Sequence, residues 1–484
     1  MERILSIDIG STYTKGALFQ LEDGTLTVLD YAKTPTTVAH LKEGFDRVRA
    51  MLDPDRQVAS IAFSSSAKGG LAIAAIGLVP DLTLKIAKLA ALSAGGKVVS
   101  VHAYKLTSQH LDELARLRPE IILLAGGTDG GNETYVRHNT EALRGLPARM
   151  EGQELPSLIY AGNAVLQEDV LKGLQDVGFE VALASNLMPQ MDEMEPDGAR
   201  EQIREVFLKK IVHGKGLDEI VAEVGTDPLP TPLAVLNLVE AIREEAPDFG
   251  DFMLVDMGGA TTDVYSSGET PEYENRVVFR GVKDPEVKRS VEGDLGMRVS
   301  ARVAASACRT SLRQVLGAGH EAFEAYVNAL PDHPDHLPEP GSVDDGHDRA
   351  LASACIHHAL VRHAGTWKRV FTAAGETFLQ HGKNLRGITK VIGSGGFLSA
   401  LPDFSPTVMA PDPRQDTYHL VPTRYTYLRD RGYLLPLLGN LTGRWRKAAV
   451  QAALDCLDPM GEIQGPDPLE DHRGQAAADS HMHC

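Results

Sequence analysis

One unit near the start of the chain recurs about half a chain later, and that recurrence constrains the fold more than any other feature. "LSIDIGSTYTKG" (Leu5–Gly16) is an apolar run ending on Asp8, a turn of glycine and hydroxyl residues, and a second strand-like run. "LVDMGGATTDV" repeats that order 248 positions later, with Asp256 in the place of Asp8. A strand–acid–turn–strand unit used twice implies internal duplication, with two related halves. Between the copies, strand and helix patterns alternate, which implies α/β layers rather than a helical bundle.

The pattern of apolar residues fills in the elements. Strands are expected at 3–10, 16–21 and 25–32, with Asp23-Gly24 as a hairpin turn. Leu41, Phe45, Val48 and Leu52 recur at helical spacing. A short strand at 58–63 leads into "SSSAKGGL", which reads either as a phosphate nest or as a helix N-cap with flexible glycines. "KVVSVHAY", "EIILLAGGTDGG", "SLIYAGN" and 179–184 read as further strands, with helices at 109–117, 164–174 and 200–212. "AGGTDGG" is open between a phosphate or switch loop and a strand-to-helix turn. "TDPLPTPLAV" reads as a Pro-rich linker before a helix at 235–244. "PDHPDHLPEPGSVDDGHD" reads as a surface loop, and residues from 457 onward as a disordered tail. The expected division is 1–250, 251–456 and the tail 457–484.

Composition narrows the function classes. A net charge of −18 argues against a general nucleic-acid surface and against anionic membranes, though a local nucleotide site needs no overall positive charge. The four cysteines (Cys308, Cys355, Cys456 and Cys484) are scattered, which speaks against a disulfide framework, a structural zinc or an iron–sulfur cluster built within one chain. Glu2 and Arg3 lead straight into a strand with no signal-peptide pattern, so a cytoplasmic location is expected.

The hairpins suggest chemistry. Glycines let backbone N–H groups approach an anion, hydroxyls donate to phosphate oxygens, and an acid at a strand end suits Mg²⁺. The candidates are Asp8, Gly10, Ser11, Thr12, Thr14 and Lys15 in the first copy. In the second they are Asp256, Gly258, Gly259, Thr261 and Thr262, followed by Asp263. A third element, "VIGSGGFL", runs a strand into a turn at Gly393, Ser394, Gly395 and Gly396, suited to lie against a base or ribose.

In this order, the three elements resemble the actin-like ATPase superfamily. That resemblance implies two ribonuclease-H-like α/β domains with ATP and Mg²⁺ in a cleft between them. Asp8 and Asp256 would be the acids of the two phosphate motifs and the metal ligands. "SSSAKGGL", "GLVPDLT", "LLAGGTDGGN", "YAGNA", "VDMGGATTDVYS" and "EGDLGMR" are together similar to the glutamate mutase accessory protein family, over roughly residues 3–445. This implies an ATPase, with no small-molecule product of its own, that serves as a reactivating chaperone for the subunits of an adenosylcobalamin-dependent mutase. A homodimer, with no nucleic acid and no membrane as partner, completes the expectation. The alternatives are a small-molecule kinase or a hydantoinase-type ATP-dependent hydrolase on the same scaffold.

The chain departs from these patterns in places. Ser64 stands where the family usually has Cys, and Lys68 where a small residue is usual. Thr231 stands where the chaperone ATPases carry Glu before the Pro of the connecting segment. Either hydrolysis is then slow, or the water-positioning role passes to Asp8, Asp129 or Asp256. His357, His358 and His363 read as a partly exposed helix face rather than a metal site.

Overall fold

The computed structural model describes residues 1–66, 71–191, 193–212, 216–269, 276–334, 336–372, 375–407 and 417–465. The chain forms two compact units. The first comprises Met1–Ala241 and Pro436–Ala452, the second Ile242–Leu435 and Ala453–Cys484. The expected boundary at 250/251 therefore falls earlier, inside the helix Thr231–Glu245, and the chain returns to the first unit near its end.

In the first unit, β1 (Glu2–Ile9), β2 (Tyr13–Glu22), β3 (Thr25–Pro35) and β4 (Ser60–Ser65) form one sheet. A second sheet follows in sequence: β5 (Ala72–Gly77), β6 (Lys97–Ala103), β7 (Ile121–Leu124), β8 (Ser157–Tyr160) and β9 (Val181–Leu183). Then β10 (Leu229–Pro230) rejoins the first sheet, giving the order β10-β4-β1-β2-β3 with only β2 antiparallel to its neighbours. That is the ribonuclease-H-like order. Ile4, Leu5, Ile7 and Ile9 of β1 are all fully buried, the continuous apolar run of a central strand covered on both faces. Gly16 matters here, because a Cβ on it would sit 2.6 Å from Val48 Cγ1. Its absence lets β2 lie close against the helix Leu41–Leu52, whose buried face is the predicted Leu41, Phe45, Val48 and Leu52.

The inserted sheet is wholly parallel, in the order β6-β5-β7-β8-β9. Renumbered from its own first strand this is the doubly wound order 2-1-3-4-5. "AGGTDGG" is its turn between β7 and the helix Thr134–Leu143, with Gly126, Gly127 and Gly130 at positive φ. Asn163 and Asp129 tie the turn down: Asn163 Oδ1 accepts from Gly130 N–H, and Asp129 Oδ1 from Ala164 N–H and Asn186 Nδ2.

The second unit repeats the first sheet's plan. Its strands are β11 (Phe252–Met257), β12 (Thr262–Ser267), β13 (Val277–Phe279), β14 (Val287–Glu292), β15 (Thr366–Thr372), β16 (Gly375–His381), β17 (Lys390–Ser394), β18 (Thr417–His419), β19 (Arg424–Asp430) and β20 (Leu457–Gln464). The larger sheet runs β14-β12-β11-β17-β19-β20, the same order extended by one strand. The smaller sheet, β13-β16-β15-β18, has no counterpart in the sequence reading. The helix Val343–His363 buries Leu351, Cys355, Ile356 and Ala359 in the core of this unit.

Three expectations are corrected. Part of the supposed tail, Leu457–Gln464, is an ordered edge strand paired with β19, because Ile463 finds a buried place there. "TDPLPTPLAV" is not a linker. It supplies β10 and the first turn of a helix, where Pro232 suits a position with no intrahelical N–H to give. The polar stretch 331–348 ends as helix from Val343, started by Ser342 Oγ accepting from Asp345 N–H at 3.1 Å.

Candidate functional site

Each copy of the hairpin is closed by the same bond. Gly10 N–H donates to Tyr13 O at 3.0 Å, and Gly258 N–H to Thr261 O at 2.8 Å. A Cβ on Gly10 would meet Tyr13 O at 2.8 Å, so the turn tolerates no side chain there. The turn carbonyls are taken up internally. Thr36 donates its Oγ1 to Gly10 O and its N–H to Thr12 O, both at 2.9 Å. In the second copy Met297 and Arg298, at the end of "EGDLGMR", donate N–H groups to Gly258 O and Gly259 O at 3.1 and 2.9 Å. Ser11 and Gly258 are exposed at the two turns, with Thr12, Gly259 and Thr261 half-buried.

Two proposed phosphate donors have other work. Thr14 and Thr262 are fully buried. Thr262 Oγ1 donates to Leu295 O at 2.7 Å. Thr14 Oγ1 lies 3.1 Å from Thr36 Oγ1, whose own proton goes to Gly10 O, so Thr14 is the donor. Both hydroxyls hold their hairpin to a neighbouring element. Strand alternation explains it: they point to the core face, the side opposite their neighbours in sequence.

The acids differ in surroundings. Asp8 is 1% exposed, and its Oδ1 accepts from Ser64 Oγ at 2.9 Å and Thr231 Oγ1 at 2.6 Å. Ser64 reaches it because β4 pairs in parallel with β1, placing Ser64 beside Asp8 in register; Lys15 stands opposite on β2. Asp256 is half-buried, with Ser394 beside it on β17 and Asp263 opposite on β12. The Ser394 hydroxyl, proposed for ligand binding, instead donates to the fully buried Asp430 at 2.7 Å. Asp263 is paired at 2.5 Å with the buried Arg289. Burial would lower the pKa of Arg289, but the Asp263 carboxylate holds it above the ordinary arginine value.

The third element is more structural than expected. A Cβ on Gly393 would overlap Tyr427 Oη at 1.9 Å, and one on Gly395, at φ +102°, would fall 2.1 Å from Met257 O. Both glycines are buried; Gly396 is exposed, with nothing near its missing Cβ. Asp129 lies at the carboxyl edge of the inserted sheet, not on the sheet of Asp8.

Of the three histidines expected to form a partly exposed face of the helix Val343–His363, His357 and His358 are half-buried, and His363 departs from that face. His363 is fully buried between Ser266 Oγ at 2.9 Å and Ser290 Oγ at 2.7 Å, and burial holds its pKa well below the ordinary value. Cys308 and Cys355, scattered in sequence, meet in the core. The hydrogen bond from Cys355 draws the Cys308 thiol's pKa down and leaves that of Cys355 raised. Among the described residues no three His, Cys, Asp or Glu side chains cluster as a metal site, and no helix is long and apolar enough to cross a membrane. Lys68 and the His/Cys-containing tail lie outside the described residues.

Sequence reasoning missed Asn440. Its Nδ2 lies 3.2 Å from Ser64 Oγ, 3.2 Å from Ser6 Oγ and 3.3 Å from Ile7 O. No local pattern marks a residue so far along the chain as a neighbour of β1. Thr231 was legible only as an absent carboxylate.

Comparison with known proteins adds the following. A family model described as MutL protein matches residues 4–457. The curated Protein MutL of Clostridium tetanomorphum is 35% identical over 452 residues, covering 91% of this chain and 96% of that protein. Among solved structures, a xylulose kinase from Rhodospirillum rubrum is similar at 13% identity and a TM-score of 0.33, covering 100% of this chain and 99% of that one. A nucleotide-free acetone carboxylase is similar at 13% identity and a TM-score of 0.37, covering 90% and 69%.

Proposed function

This chain belongs to the MutL protein family, and from that premise we propose that it is an ATP-binding and ATP-hydrolysing accessory protein that reactivates an adenosylcobalamin-dependent mutase such as glutamate mutase. The observation that carries the ATP part is the paired hairpin, with the same strand order, the same terminal acid and the same glycine-closed turn in both units. The mutase part rests on the family alone.

In this reading the contact set is narrower than the sequence suggests. Gly10, Ser11, Thr12 and Lys15 serve in the first unit, and Gly258, Gly259, Thr261 and Gly396 in the second. Thr14, Thr262, Gly393, Ser394 and Gly395 hold the frame. A strand-end carboxylate suits Mg²⁺, which takes oxygen ligands and keeps several waters, so Asp8 and Asp256 would serve as ligands beside nucleotide phosphates. Bound there, the ion would neutralise phosphate charge; Lys15 supplies a further positive charge beside Asp8. Nucleotide state would bias the conformation that the mutase reads.

The test is calorimetry of Mg²⁺–ATP binding with Asp8→Ala and Asp256→Ala, each expected to abolish it. Unchanged affinity in both removes the site assignment. A pull-down that recovers a cobalamin-binding mutase subunit, with ATP-dependent recovery of inactivated mutase, supports the partner. A turnover screen in which a sugar is phosphorylated or a hydantoin hydrolysed would favour the alternative enzyme readings instead.

A further inference from the structure

We propose that Thr231, Ser64 and Asn440 are positioning residues for Asp8, forming a chain of donors that fixes this carboxylate as an acceptor at the end of β1. The proposal rests on the reading of Asp8 as a metal-binding acid of an ATP site.

A buried carboxylate needs donors, and Asp8 Oδ1 takes two, from Thr231 Oγ1 at 2.6 Å and Ser64 Oγ at 2.9 Å. Each hydroxyl has one proton, so each is then spent. Ser64 Oγ must accept any further bond, and Asn440 Nδ2 lies 3.2 Å from it. Ser6 is spent in the same way, on Leu437 O at 2.7 Å, so it too accepts from Asn440 Nδ2 at 3.2 Å. Ile7 O is a third acceptor, at 3.3 Å. Three acceptors converge on one amide nitrogen. That fixes which way the Asn440 amide faces, even though its Oδ1 is buried with no hydrogen-bond partner among the described residues. Polarity therefore runs one way, from Asn440 through Ser64 to Asp8, with Thr231 closing from the other side.

Two consequences follow for Thr231. A hydroxyl with its proton committed to Asp8 does not take a proton from water, so the basic group of this corner is Asp8 itself. Restoring the carboxylate of the chaperone ATPases, by Thr231→Glu, would set two like charges against each other and impair the site.

The test uses the full-length chain and four variants. Thr231→Val keeps the shape and removes the donor; Thr231→Ser keeps the donor. Asn440→Asp keeps the shape and replaces the donor with an acceptor, and Ser64→Ala breaks the chain. Loss of a hydrogen bond to a charged group predicts that turnover of Mg²⁺–ATP falls about 10–100-fold in Thr231→Val and Asn440→Asp, with KM moving less than about threefold. Thr231→Ser should stay within about threefold of the parent on the same scale. A purely structural role would not separate Val from Ser at equal melting temperature. Wild-type turnover in Thr231→Val, or no rescue by Ser, overturns the proposal.

A second readout needs no nucleotide. The ¹³C chemical shift of the Asp8 carboxyl at one fixed pH, assigned with Asp8→Asn, should differ from the parent in Thr231→Val and Asn440→Asp and return to the parent value in Thr231→Ser. An unmoved signal in Thr231→Val overturns the positioning role. Failure of the parent to bind ATP, with the signal moved as expected, overturns the ATP reading alone.

Discussion

In the first unit the acid at the end of the central strand is gripped by hydroxyls from β4 and the helix Thr231–Glu245, and a lysine stands opposite it. In the second unit the strand-end acid is half-buried, an aspartate stands opposite, and the neighbouring serine serves a different, buried carboxylate. The strand order and the closing bond of the turn are common to both. Duplication has kept the frame, where burial and register leave little choice. The side chains that dress the frame have diverged, and the second copy uses its polar groups largely for its own integrity.

The largest expected effects lie in that second copy. Arg289→Met leaves Asp263 charged and buried without its partner, and should lower the stability of the second unit by about 3–5 kcal/mol. Lys15→Met, opposite the other acid, should cost less than about 1 kcal/mol while weakening nucleotide binding. Denaturant unfolding followed separately for each unit by hydrogen exchange reads both. A large loss from Lys15→Met would break the comparison. Gly395→Ala, forced against Met257 O at positive φ, should cost roughly 3 kcal/mol or more, while Ala at Gly396 should be tolerated.

The serine pair gives the next scale. Ser394→Ala removes a donor from buried Asp430 and should destabilise by about 1.5–3 kcal/mol with little direct effect on binding at the first acid. Ser64→Ala should show its larger effect in turnover. Equal behaviour of the two would mean that the hairpins have not divided their tasks.

A further effect is one of pH. Burial pulls the Lys383 ammonium, in the second unit, down to about 7 from the ordinary lysine value, while its Nζ donates to Pro285 O and Glu286 O. Between about pH 7 and 10 the unfolded chain then binds more protons than the folded one, so stability rises with pH across that window and gains nothing from this group below it. No lysine of the first unit is buried among its described residues. Thermal melts of the second unit should therefore rise from pH 7 to 9, and Lys383→Met should flatten the slope.

Legibility in the sequence followed locality. The apolar faces of β1 and of the helix Leu41–Leu52, the Asp23-Gly24 turn and the glycines that close both hairpins were readable because the residues involved lie within a turn or two of each other. Thr14 and Thr262 misled because composition shows a hydroxyl but not the face of the strand it leaves from. Gly393 and Gly395 looked like ligand-facing glycines, yet the atoms that exclude a side chain belong to Tyr427 and Met257. The contacts of Thr231 with Asp8 and of Asn440 with Ser64 were out of reach, since only the tertiary fold brings these distant residues together. The short β10 and the edge strand β20 hid behind proline and charge, which usually mark loops.

The return of Pro436–Ala452 to the first unit also sets an order in time. Asn440 is made 432 residues after Asp8 (440 − 8). At synthesis rates of about 5–20 residues per second the interval is on the order of tens of seconds. During that interval the first sheet can pair β1 with β2 and β4, but its acid lacks the end of its donor chain. A nascent or truncated chain ending before residue 440 would thus carry a recognisable hairpin with an unfinished grip on Asp8, and the corner becomes complete only once Asn440 has been added.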